Sequence, residues 1–210
     1  MTPDSDSYLK PYEQALRRFG PGFETTLWSN RRSQVARFAA LNEVVDLEDK
    51  RLLDAGCGEG DLAEWLDSAG VPYRAYIGLE GLDALVRKAN ERGLPRSEFH
   101  TADFVSDPQA LRIGRPDIIF FSGSLNTLRE DDARRVVEYA YDAAVECVAF
   151  NFLSDRCPPA RRNEDTGPAT RFDTLAWIKW ALDRTHRVAF HQEYLDGHDA
   201  MIVMWRANGD

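Results

Sequence analysis

The chain has 210 residues, 43% of them hydrophobic, which suits one packed α/β domain with a modest extension and excludes a disordered chain. A net charge of -9 argues against a nucleic-acid partner, because the arginine doublets (Arg17-Arg18, Arg31-Arg32, Arg134-Arg135, Arg161-Arg162) are isolated and diluted by acids. No apolar run approaches the ~20 residues of a membrane span, and Cys57, Cys147 and Cys157 lack the spacing of metal ligands, so neither a membrane nor a metal site is expected.

Two helical stretches open the chain, at about 11–19 and 30–45, joined by Gly20-Pro21-Gly22. Ser29 is the expected N-cap of the second, and Val35, Phe38 and Val45 would pack against a sheet edge or a ligand mouth. Residues 1–46 are read as a helical extension or lid and 47–210 as the main domain. Residues 51–54 read as a buried strand, followed by a helix from about Asp61 with Leu62, Trp65, Leu66 and Ala69 on one face and Gly70 as its stop. A strand at 75–79 and a helix carrying Leu82, Leu85, Val86 and Ala89 come next, then strands at 98–102 and 117–121. A helix with an acidic start (Glu130, Asp131, Asp132) presents Ala133, Val136, Val137, Ala140 and Ala144, and a strand at 146–152 follows it.

Residues 154–171 hold three prolines and many charges, the composition of a long loop, and such loops are commonly covers over a site. After it, Asp173 is the expected N-cap of a helix that presents Leu175, Ile178 and Leu182, with Trp177 and Trp180 beside that stripe. Strands at 187–195 and 200–206 flank Asp196-Gly197, a hairpin signal that makes them antiparallel. The whole predicts a Rossmann-like, seven-stranded, mostly parallel sheet with a C-terminal antiparallel hairpin and helices on both faces.

The segment 52–60, LLDAGCGEG, leaves a strand and opens a helix, the context of a cofactor loop. Gly56, Gly58 and Gly60 let the backbone turn tightly against a ligand, and Asp54 can hold the loop or, through water, an ammonium group. Glu80 ends the second strand, where an acid accepts from both hydroxyls of a ribose. Asp103, at the end of the third strand, is placed to accept from an adenine amino group, and Phe104 supplies an N–H or an apolar wall.

These residues resemble the motifs of class I S-adenosylmethionine-dependent methyltransferases, of a bacterial small-molecule-type branch, over about residues 28–206. Residues 54–60 match the family's first motif, Glu80 its second-strand acid, Asp103 its adenine-side acid, and 116–124 (PDIIFFSGS) its fourth-strand segment. The resemblance implies S-adenosylmethionine as cofactor, held by Asp54, Gly56, Cys57, Gly58, Gly60, Glu80, Gly81, Asp103 and Phe104, with Ser122 at the methionine end and Trp28 and Gln34 as lid residues.

Methyl transfer from a sulfonium needs alignment more than acid–base help, so no catalytic residue is assigned. Asn126, Asn151, His191 and Tyr194 are the candidates for contact with the acceptor. The Asn/Asp-Pro-Pro-aromatic signature of amino methylation is absent, and Cys157-Pro158-Pro159-Ala160 does not replace it, so a small-molecule acceptor is favoured. Two other readings compete: a nicotinamide-dependent oxidoreductase, whose GxGxxG would place glycine where Asp61 stands, and a non-catalytic protein that only binds the cofactor. The start MTPDSDSYLK lacks the features of a secretory signal, and a cytoplasmic address is expected.

Overall fold

Among the described residues, seven strands form one sheet in the order β3-β2-β1-β4-β5-β7-β6. They are β1 (Arg51–Ala55), β2 (Ala75–Glu80), β3 (Ser97–Thr101), β4 (Ile118–Phe121), β5 (Cys147–Leu153), β6 (Val188–His191) and β7 (Asp199–Trp205). The structure, a computed structural model, describes residues 5–28 and 30–207. Strands β1 to β5 pair in parallel, and β7 runs antiparallel between β5 and β6. The alternation of apolar runs with amphipathic helices thus yields the predicted Rossmann-like sheet with its antiparallel ending. The hairpin strand stops at His191, short of the expected 195, because Leu195 and Asp196 take left-handed φ angles of 52° and 53° and close the turn early.

Among the described residues six α-helices, α1 (Ser5–Phe19), α2 (Arg31–Val44), α3 (Asp61–Ser68), α4 (Asp83–Glu91), α5 (Glu130–Ala143) and α6 (Thr174–Arg184), cover the sheet. Successive strand residues alternate between two cores. Leu53, Ile119, Phe121, Val148 and Phe150 join α5 and α6 on one face, and Leu52, Ile118, Phe120, Cys147 and Ala149 join α2, α3 and α4 on the other. Among the described residues, no helix is long and apolar enough to cross a membrane.

Three local expectations are corrected. Helix α1 extends toward the N-terminus past the expected start at Pro11, which lies inside it; buried Tyr8 and Ala15 supply tertiary packing that outweighs the missing N–H. The N-cap of α2 is Asn30, whose side chain accepts from the Ser33 N–H, while Ser29 lies outside the described residues. In α6 the stripe of Leu175 and Leu182 faces solvent, 57% and 53% exposed, and the buried face is Thr174, Trp177 and Ala181. Trp177 has the larger apolar surface to bury, and it stacks with Phe150, Phe152 and Phe172.

One buried ion pair joins α2 to the start of β7. Arg37, 4% exposed, is bidentate to the fully buried carboxylate of Asp199, with Nη2–Oδ1 at 2.7 Å and Nε on Oδ2. A buried charge stripped of its partner is costly, more so than the pair is stabilising. Arg37→Met should therefore lower stability by about 3–5 kcal/mol, and adding Asp199→Leu should recover most of the loss, as urea unfolding of the two variants would measure.

Candidate functional site

The strand order reverses between β1 and β4, and at that point the carboxyl ends of neighbouring strands part to leave a crevice. A cavity of about 520 Å³ opens there. Its walls include Asp54, Gly56, Cys57 and Gly58 from the turn after β1, Glu80 and Gly81 from the end of β2, Phe104 from beyond β3, and Ser122 from beyond β4. Strand pairing sets Glu80 opposite Thr101, so the acid at the end of β2 and Asp103 lie at the same sheet edge.

Glu80 holds the glycine turn while keeping capacity for a ligand. Its Oε2 accepts from the Gly58 N–H at 3.1 Å and its Oε1 from the Leu82 N–H at 3.0 Å. An ionised carboxylate has about four acceptor sites, so acceptor capacity remains for a ribose hydroxyl even with the Gly81 N–H also acting on it. Burial raises the Glu80 carboxyl above its ordinary value, and the backbone N–H groups oppose that shift.

Asp54 is buried at the end of β1. Burial pushes its carboxyl up to about 7, with the charges of Glu80 and Asp61 adding to the effect and the hydrogen bond from Tyr76 opposing it. Tyr76 donates to Oδ2 at 2.6 Å, while Oδ1 has no hydrogen-bond partner among the described residues. A cation arriving at Oδ1 would restore the charged form, and the unpartnered Ser122 hydroxyl on the same cavity offers a further polar contact. A nucleoside bearing a cationic amino-acid end therefore suits the donor set: a ribose at Glu80, an ammonium at Asp54 and no phosphate. Asp61 reinforces the last point, since its carboxylate already occupies the start of α3, held by Gln34 Nε2 at 3.0 Å and Arg92 Nη1 at 2.8 Å.

The remaining predicted residues divide by location. Gly60 does not line the cavity; its φ of 80° and its contact with Phe99, whose Cε1 would sit 2.7 Å from an added Cβ, tie it to helix–sheet packing. Asp103 is also off the wall, engaged by Tyr8 Oη at 2.5 Å, by the Val105 and Ser106 N–H groups and by the Ser106 hydroxyl. Trp28 and Gln34 do line the cavity. The Trp28 indole lies directly on Gly123, where a Cβ would sit 2.6 Å from Cη2, and the Arg37 guanidinium stacks 4.3 Å from its ring centroid.

Of the four acceptor candidates, only Asn126 lines the cavity. Asn151 stands behind it, with Oδ1 accepting from the Gly123 N–H at 2.7 Å. His191 and Tyr194 stack on each other with centroids 5.3 Å apart, outside the lining.

Several wall residues carried no sequence signal of their own. Tyr8 and Tyr12, one turn apart on α1, and Thr26 close one side. Arg161 and the run Glu164–Ala169, within the loop the prolines marked, close the other together with His198, just before β7. That cover is fastened by the Thr170 N–H to the Asn126 carbonyl at 2.9 Å and by Arg171, which donates to the carbonyls of Ser154 and Arg161. Arg171 Nη2 also lies 3.3 Å from His198 Nδ1; a guanidinium only donates, so Nδ1 accepts and the neutral ring carries its proton on Nε2. Burial lowers the pKa of His198, in keeping with the neutral ring.

The raised Asp54 pKa fixes a pH dependence. Its charged form is disfavoured in the fold, so its contribution to stability is full below about pH 4, near the unfolded value, and is lost as pH rises through about 7. Asp54→Asn, which can still accept from Tyr76, should gain stability relative to the parent over that window, and urea midpoints across pH 4–8 would reveal it.

A family model described as a methyltransferase domain matches residues 52–145. No curated protein matches the sequence. The fold is similar to that of magnesium protoporphyrin IX methyltransferase from Synechocystis PCC 6803 with bound S-adenosylhomocysteine, at TM-score 0.67 and 16% identity, covering 97% of this chain and 98% of that one. It is similar also to a DhpI complex with the same ligand, at 0.61 and 17%, covering 98% of each chain. The methyltransferase domain of bacterial CtHen1 is a third match, at 0.61 and 15%, covering 84% of this chain and all of that one. Residues 52–145 thus match a methyltransferase domain, and the chain as a whole has the fold of S-adenosylmethionine-dependent methyltransferases.

Proposed function

We propose that the chain transfers the methyl group to a small-molecule acceptor by in-line displacement, with residues 1–46 serving as a cover and 47–210 as the methyltransferase domain. The observation that carries this reading is one continuous cavity. It runs from Glu80 past Ser122 and Gly123 to the loop at Glu164–Ala169, closed by covers on both sides. Its volume falls within the roughly 300–1,000 Å³ usual for small-ligand sites. Each arginine doublet is engaged with acids through at least one member, which fits the absence of a basic patch expected from composition: Arg17 pairs with Glu13, Arg31 with Asp61, Arg134 with Glu130, Arg135 with Asp132 and Arg161 with Glu164. Three free, buried cysteines suit a cytoplasmic setting.

Bound S-adenosylmethionine supplies a methyl group already activated by its sulfonium sulfur. The chain's own residues provide alignment, the main requirement of such a displacement. Glu80 would hold the ribose hydroxyls, and Asp54 would balance the ammonium. Trp28, seated on Gly123, forms the wall beside the methionine end. On the acceptor side, Asn126 lines the cavity and His198 presents Nε2–H as a fixed donor. The Glu164–Ala169 cover excludes water from the reacting atoms.

Two measurements test the reading. S-adenosylmethionine or S-adenosylhomocysteine at a hundredfold over its dissociation constant should raise the melting temperature by about 5 °C or more; a shift with NAD alone would overturn it. Glu80→Gln should weaken S-adenosylhomocysteine binding by about 1.5–3 kcal/mol for each hydrogen bond lost to a charged acceptor, with the fold unchanged, as titration calorimetry would report.

A further inference from the structure

We propose that Asp103 serves the cofactor as the latch of helix α1, acting through Tyr8, and is not a direct acceptor for the adenine amino group. The inference rests on the S-adenosylmethionine reading above. Its first support is the occupancy of Asp103. Oδ1 accepts from Tyr8 Oη at 2.5 Å, from the Val105 N–H at 3.0 Å and from the Ser106 N–H at 3.2 Å, and Oδ2 accepts from the Ser106 hydroxyl at 2.7 Å. With about four acceptor sites on a carboxylate, little is left for a ligand.

Its second support is position. Asp103 does not line the cavity, whereas Tyr8, Leu9 and Tyr12 of α1 all do, on the side of Glu80 and Phe104. Leu9 lies against the turn after Glu80: a Cβ on Gly81 would sit 2.9 Å from Leu9 Cδ2. Helix α1 therefore closes the nucleoside end of the crevice. Its tie to the turn after β3 is the part-buried hydrogen bond from Tyr8, 7% exposed, across 95 residues to Asp103. A bound nucleoside lies behind α1, and its release requires that bond to open. Asp103 is thus a positioning residue, and Tyr8 is the group facing the ligand.

The test uses S-adenosylhomocysteine and S-inosylhomocysteine, whose purine carries oxygen in place of the amino group, with stopped-flow off-rates and amide exchange of α1. Tyr8→Phe removes only the hydroxyl and leaves the turn at Asp103 intact. It should raise the off-rates of both nucleosides by about tenfold or more, the range of a hydrogen bond to a charged group, and speed exchange over residues 5–19 without ligand. Asp103→Ala should do the same, the double variant should add little, and the affinity ratio of the two nucleosides should stay constant throughout. An unchanged off-rate in Tyr8→Phe overturns the latch, as does a preference for the amino purine that Asp103→Ala abolishes. If neither nucleoside binds the parent chain, the cofactor reading itself fails, and the latch with it.

Discussion

The ion pair between Arg37 and Asp199 is the constraint on which the Trp28 wall of the cavity depends. Asp199 begins the one antiparallel strand, and Arg37 lies midway along α2. Their bond fixes α2 across the carboxyl edge of the sheet. The same guanidinium stacks on Trp28, and Trp28 in turn lies on Gly123 at the end of β4. A single buried charge pair thereby sets the wall of the cavity from two segments far apart in sequence. Buried pairs of this kind owe their worth to geometry rather than to net stability, since a hydrophobic replacement of both partners is often no weaker. Here the geometry is what the site uses.

The opposite end of the crevice is governed by uncompensated negative charge. Asp54 and Glu80 are both driven toward the protonated form by burial. Neither has a basic side chain among the partners that shift it; their relief comes from Tyr76 and from backbone N–H groups. Such an arrangement rejects phosphates and rewards a cation, because an incoming positive charge repays the desolvation that the acids have already suffered. The same physics separates this glycine turn from a dinucleotide fingerprint. Where a pyrophosphate would need a bare helix start, Asp61 stands paired with Arg92. The discrimination lies in charge at the mouth of the turn more than in the number of glycines.

Much of this was legible because it is local. A strand, a glycine turn and a helix occupy about ten consecutive residues, and strand-end acids recur at the rhythm of the βα unit, so Asp54, Glu80 and the mostly parallel sheet follow from spacing. The apolar stripe of α5 was equally plain, and all of Ala133, Val136, Val137 and Ala140 are buried. In α6, by contrast, Leu175-Ile178-Leu182 and Thr174-Trp177-Ala181 are two stripes of the same period; only the aromatic neighbours on β5 choose between them. Arg37–Asp199 spans 162 residues and Tyr8–Asp103 spans 95, and no periodicity encodes either. His191 and Tyr194 carried suitable chemistry, yet they sit by the edge strand β6, facing each other instead of the cavity. Residue type alone could not distinguish them from His198, a few positions on, which lines it.

The two covers come from outside the sheet: α1 with the 23–28 stretch on one side, and the loop through Glu164–Ala169 on the other. The sheet edge is built from strands locked by neighbours on both sides, so it can change little without loss of the fold. The covers are fastened by a few identifiable bonds, among them Tyr8 to Asp103 and Thr170 to Asn126. Segments held by so few contacts can vary in sequence at low cost to stability, which is why binding specificity accumulates on loops carried by a rigid scaffold. Under the function proposed above, cofactor binding falls to Asp54 and Glu80 on the rigid edge, and the choice of acceptor to the residues around His198 and Asn126, where the loop meets the end of β5.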